Sequence, residues 1–125
     1  MPMGSTPLLQ ASGNILPFRF VELSGAFTAT QANAASDRVL GVTDGSINLF
    51  NGTYNAVSGG PINLQPSDSV QITAGGTVTA GNLLTSDSSG RAVAGTTGQM
   101  CCYMAFEDAA VGEVFWAFRF GPILA

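Results

Sequence analysis

The chain contains neither histidine nor lysine, and its cations are four scattered arginines, Arg19, Arg38, Arg91 and Arg119. Without histidine, a serine or cysteine nucleophile lacks its usual base, so triad chemistry is excluded. Without clustered cations, neither a run of phosphates nor an anionic membrane surface can be neutralised. Nucleic acid and membrane are therefore not expected partners. No apolar run approaches the roughly 20 residues of a spanning helix. The two cysteines, Cys101 and Cys102, are adjacent. A strand would send them to opposite faces, and two thiols alone cannot complete a tetrahedral metal shell. They read as small apolar residues, and neither a metal nor a cofactor is expected. Charge itself is scarce. Charged residues make up 10% of the chain, with a net charge of −4, against roughly 25% in ordinary globular proteins. Gly, Ala, Ser, Thr and Asn take their place, a mixture poor in helix formers and rich in turn formers. A surface this short of charge is suited to burial between subunits. The amino end, residues 1–7, has neither the basic region nor the apolar core of a signal peptide, so synthesis and retention in the cytoplasm are expected.

What is present is a pattern of strands and turns with a weak internal repeat. Phe20-Val21-Glu22-Leu23-Ser24-Gly25, followed by Ala26-Phe27-Thr28, has a counterpart in Leu83-Leu84-Thr85-Ser86-Asp87 and Gly90-Arg91-Ala92-Val93-Ala94. Each copy runs on into an apolar stretch closed by acid, Arg38–Asp44 in the first and Cys101–Asp108 in the second. Asn51-Gly52, between Ile47–Phe50 and Thr53–Val57, is a strong hairpin signal. Gly75-Gly76 is expected to turn Val70–Thr73 into a second hairpin with Thr77–Thr79, and Gln31–Ala35 to form one helical turn. In Val114–Phe120, one parity carries Val114, Trp116, Phe118 and Phe120, and the other Phe115, Ala117 and Arg119. The aromatics are assigned to the core. The tripeptide Phe-Arg-Phe occurs at 18–20 and again at 118–120, and the two strands are expected to lie together and close the fold.

At 125 residues the length suits one domain. The fold class is all-β, a small β-sandwich or barrel with an internal strand-turn-strand duplication. Residues 1–14 read as an extended arm and residues 15–125 as a single β-domain. Glu107, Asp108 and Glu113 form the one acidic cluster, and Asp87-Ser88-Ser89-Gly90 the best approximation to an ion loop. Both read as turns, so no enzyme is expected. A carboxylate-dependent glycan hydrolase would need two of the acids facing one cleft.

The run Thr79–Asp87 with Gly90–Ala94, and the run Ala105–Val114, resemble the head cement proteins of tailed bacteriophages, also called decoration or capsid-stabilising proteins. The first repeat copy, in Phe20–Leu23 and Arg38–Asp44, is similar to their amino-terminal half. Asn48–Asp68 stands out from that pattern as an insertion. The resemblance implies a non-enzymatic virion protein on the outer surface of the expanded capsid. It would bind the major capsid protein and itself, with a homotrimer favoured over a dimer. Low charge and loop character put the expected contacts at Pro7, Leu8 and Leu9 of the arm, Phe50, Asn51 and Tyr54 of the hairpin, and Ile123 and Leu124 of the tail. The alternative is a carbohydrate-binding or adhesion β-domain of a virion, which would need exposed aromatics.

Overall fold

A computed structural model describes residues 9–35, 38–49 and 52–125. Nine strands run in chain order: β1 (Gln10–Ala11), β2 (Phe20–Gly25), β3 (Thr28–Gln31), β4 (Val39–Val42), β5 (Ser69–Thr73), β6 (Leu83–Ser86), β7 (Ala92–Ala94), β8 (Met100–Ala105) and β9 (Val114–Leu124). They form two sheets, ordered β1-β3-β2-β4 and β5-β9-β8-β6-β7. The fold is all-β and sandwich-like. No helix occurs among the described residues; Gln31, expected to begin a helical turn, instead ends β3.

The internal repeat is a duplication of topology. In the first sheet β2 pairs antiparallel with β3 on one side and β4 on the other. In the second, β6 pairs antiparallel with β7 and β8 in the same way. Each copy is thus a hairpin whose first strand also pairs with the apolar stretch that follows. The copies then diverge: the second is extended by β9 and β5, the first by β1.

The main core lies between the sheets. Phe20, Val39 and Val42 from the first meet Val70, Ile72, Leu84, Tyr103, Ala105, Phe115 and Ala117 from the second. The Phe20 and Tyr103 rings stand 5.4 Å apart between centroids, and burial pushes the Tyr103 phenol above its ordinary range. The Arg119 guanidinium crosses from one sheet to the other. It donates to the carbonyls of Leu40 (3.0 Å) and Val39 (3.1 Å), and also to the Tyr103 hydroxyl. The β6–β7 turn plugs onto the first sheet, where the Gly90 carbonyl accepts the Phe20 amide and the Ser89 carbonyl accepts the Gln31 side chain.

A second, smaller cluster covers the outer face of the first sheet. Val21 and Ala29 of that sheet pack with Ala11, Ile15 and Ala56, and Leu9, Ile62 and Leu64 close over them. Much of this cover comes from the segment between the two repeat copies. The chain before the first copy adds to the cover: Leu9 and Ala11 pack there, β1 pairs parallel with β3, and the Ala11 amide donates to the Gly60 carbonyl.

Three expectations require correction. The Phe-Arg-Phe segments do not pair; Phe20 lies in the first sheet and Phe118–Phe120 in the second, with Tyr103 bridging them. Around Asn51-Gly52 no strands form among the described residues. The Asn48 amide reaches across to the Tyr54 carbonyl, while the Gly52 amide turns back to the Asn48 carbonyl. The cause is Asn55, buried at 3% exposure, whose side chain donates to Asp44 and Ser46 and accepts from the Asn63 amide. That network fixes the chain as a loop, and Ala56 is drawn to Ile15 instead of to the other arm of a hairpin.

Gly75-Gly76 likewise makes no hairpin. β5 pairs with β9, and Val78 bridges to Ala109. Gly75 serves a close approach: its amide donates to Ala92, and a Cβ there would collide with the Asp87 carboxylate and sit 3.0 Å from the Arg91 Cβ. Gly75→Ala should therefore destabilise the fold by about 1–3 kcal/mol, as overpacking does. A urea unfolding midpoint equal to that of the unaltered chain would remove this explanation.

Candidate interaction surface

β9 is an alternating strand, so one parity must face away from the core. Phe115 and Ala117 point inward and are buried. Val114, Trp116, Phe118 and Phe120 point outward. This corrects the core assignment for Trp116, Phe118 and Phe120, while Phe20, Tyr103 and Phe115 are buried as expected. Parity separated the two sets, and the inward set is the one whose small Ala117 and bridging Arg119 fit between the sheets.

The outward residues form a continuous apolar stripe. Met104 of β8 is the cross-strand neighbour of Phe118, and the Phe106 ring lies 5.7 Å from that of Phe118. Met104, Phe106, Val114, Trp116, Phe118 and Phe120 are between 36% and 55% exposed. On the β5 side the stripe is bordered by uncharged polar residues, with Ser69, Gln71 and Thr73 paired to Phe118, Trp116 and Val114. Ile123 and Leu124, expected as tail contacts, continue β9 beyond the stripe and are exposed. Among the other expected contacts, Leu9 packs on the smaller cluster and Tyr54 is half-buried in its loop. Pro7, Leu8, Phe50 and Asn51 lie outside the described residues.

The acidic cluster has a structural occupation. Glu107 accepts the Trp116 amide (2.9 Å), Asp108 the Ala80 amide (2.8 Å) and Glu113 the Ala110 amide (2.6 Å). Asp108 and Glu113 border a shallow groove of about 300 Å³ along Thr77–Thr79, each with an oxygen committed to a turn. The Asp87 carboxylate is similarly engaged, accepting the amides of Ser89 and Arg91 and pairing with Arg91 Nε at 3.0 Å. Arg19 adds a second cation beside it, its guanidinium lowered below the ordinary range by burial and then by Arg91. Two neighbouring cations disfavour calcium in this turn. Among the described residues no group of three or more potential ligands gathers as a metal centre would require. Both cysteines are buried and neither is in a disulfide, and burial pushes the Cys101 thiol upward. What the surface can do chemically is bind an apolar partner.

No family model and no curated protein matches the sequence. Among solved structures, the chain is similar to the crystal structure of the head fiber gp8.5 N base in bacteriophage phi29. The TM-score is 0.61 at 20% sequence identity, and the match covers 93% of each chain. At that identity the likeness is one of fold, spanning nearly all of both chains.

Proposed function

We propose that the chain is a structural protein of a bacteriophage head, of the cement or decoration kind. It binds the outside of the expanded icosahedral shell, as a homo-oligomer with a trimer favoured, and stabilises contacts between capsomers of the major capsid protein. The observation that carries this reading is the fold likeness to a phage head fiber base across 93% of both chains. The strand-and-turn motifs of the second repeat copy, which resemble cement proteins, point the same way. The lysine-free, acidic composition suits an exterior position, because a DNA-facing protein would present a basic face.

The mechanism is mass action. A ligand that binds one state of a lattice stabilises that state by its binding free energy, and many copies add along the shell. Capsid contacts fall to Pro7 and Leu8, to Phe50, Asn51 and Tyr54, and to the tail at Ile123 and Leu124. Heads lacking the chain should rupture at a higher temperature once it is added, with the gain saturating as sites fill. An unchanged rupture temperature at saturating protein would reject the stabilising role.

One observation favours a second reading, a glycan-binding or adhesion domain of the virion: Trp116 is 44% exposed beside Phe118, as a sugar platform requires. Saturable change of Trp116 fluorescence with host glycans is the result that reading demands.

A further inference from the structure

The two repeat copies treat their outer faces differently. The first sheet has its outer face covered by the chain itself, through Ala11, Ile15, Ala56, Ile62 and Leu64. The second sheet carries the larger aromatic face, and its six apolar residues remain 36–55% exposed. We propose that this face is covered by another copy of the chain. The inference deepens the oligomer named in the proposed function and rests on that part of the reading; attachment to heads is measured separately.

Area, composition and charge all support a second copy as the occupant. Large apolar side chains offer roughly 150–250 Å² each. At the observed exposures the six residues present on the order of 500 Å² of apolar surface per copy. A standard interface buries about 800 Å² per partner, of which somewhat over half is apolar. The stripe thus supplies the apolar centre of one such interface, and Ser69, Gln71 and Thr73 supply a polar rim on one side. Trp, Phe and Met are the residue types enriched at interface centres, and charge is depleted there. None of the nine residues bears a charge. A chain of net charge −4 meets another copy of itself with least repulsion through uncharged surface, and the stripe supplies it; the one carboxylate tied to the stripe, that of Glu107, is engaged by the Trp116 amide.

Trp116 is the single tryptophan of the chain and lies within the stripe, so it reports on the contact directly. The test is sedimentation velocity with Trp116 emission on the unaltered chain and on Phe118→Glu and Leu49→Glu. Leu49 is 97% exposed and lies outside the stripe, in the segment between the two repeat copies. The unaltered chain is expected to self-associate, with Trp116 emission shifting to the blue as concentration rises. Phe118→Glu should weaken association by about thirtyfold or more, the effect of losing an interface hot spot, while keeping a β-rich circular dichroism spectrum. Leu49→Glu should associate as the unaltered chain does. Should Phe118→Glu fail to fold, Gln71→Arg at the rim, which leaves the core untouched, is expected to weaken association as well. A monomeric unaltered chain overturns the proposal. So does an oligomer dissolved by Leu49→Glu but not by Phe118→Glu or Gln71→Arg, or Trp116 emission that responds to glycans and not to concentration. Head binding by a strictly monomeric chain would refute this interface and leave capsid attachment standing.

Discussion

Phe20→Ala is expected to lower the free energy of unfolding by about 3–5 kcal/mol, the usual cost of removing a buried phenylalanine ring. Phe20 is 2% exposed, and its backbone pairs with Val42 within the first sheet. Its ring faces Tyr103 of the second sheet, so its loss opens a void on both sides of the sandwich. Neighbouring strands cannot close that void without breaking a ladder, because β2 is held by β3 and β4 and its Phe20 amide is fixed to Gly90. Small domains hold about 5–15 kcal/mol in total, so the variant should sit near its unfolding midpoint in mild urea. A loss below about 1 kcal/mol would mean that the sheets do not share this core. Phe27→Ala is a useful control, since Phe27 is 61% exposed and a surface change of that kind costs little.

The second large effect is expected at Arg119. The guanidinium donates to two consecutive carbonyls of β4, Val39 and Leu40, and lies 5.6 Å from the centre of the Tyr103 ring. Charged hydrogen bonds contribute about 1.5–3 kcal/mol each, less where water screens them. Arg119→Met keeps much of the apolar stem and removes the fork, and should cost about 2–3 kcal/mol. Arg119→Lys should recover less than half of that. A single ammonium can reach one carbonyl well, but cannot reproduce a planar fork that spans two carbonyls and a phenol. Denaturation curves on both variants decide the matter. Full recovery by lysine would show that charge alone, not fork geometry, joins the sheets.

These two residues also show what could be read from the sequence. The repeat, the all-β class and seven of the strand positions follow from alternation and turn chemistry, because each is a local property. Partner choice is not local. Val70–Thr73 alternates cleanly as a strand, yet it pairs with β9, more than forty residues away, and not with the neighbouring Thr77–Thr79, whose Val78 bridges to Ala109. Asn51-Gly52 favours a tight hairpin in isolation. The buried Asn55 network, made with residues as distant as Asp44 and Asn63, outweighs that preference.

The interaction surface was half legible. Period-2 spacing separated Val114, Trp116, Phe118 and Phe120 from Phe115, Ala117 and Arg119 without saying which set faces the core. Hydrophobicity alone chooses the aromatic set, and the structure chooses the other. The overlooked signal was size and reach. The space between two sheets held together by Tyr103 takes an alanine and a bridging arginine on this strand, not four bulky side chains. The expected tail contacts, Ile123 and Leu124, are exposed on the same strand, whereas Leu9 is engaged in covering the first sheet.

Cosedimentation of the purified chain with expanded heads that lack it, with bound copies counted, tests the central claim most directly. The proposed role predicts saturable binding to expanded shells and none to unexpanded ones, at a copy number set by the symmetry of the capsid sites. A folded chain that stays in the supernatant with expanded heads would contradict it.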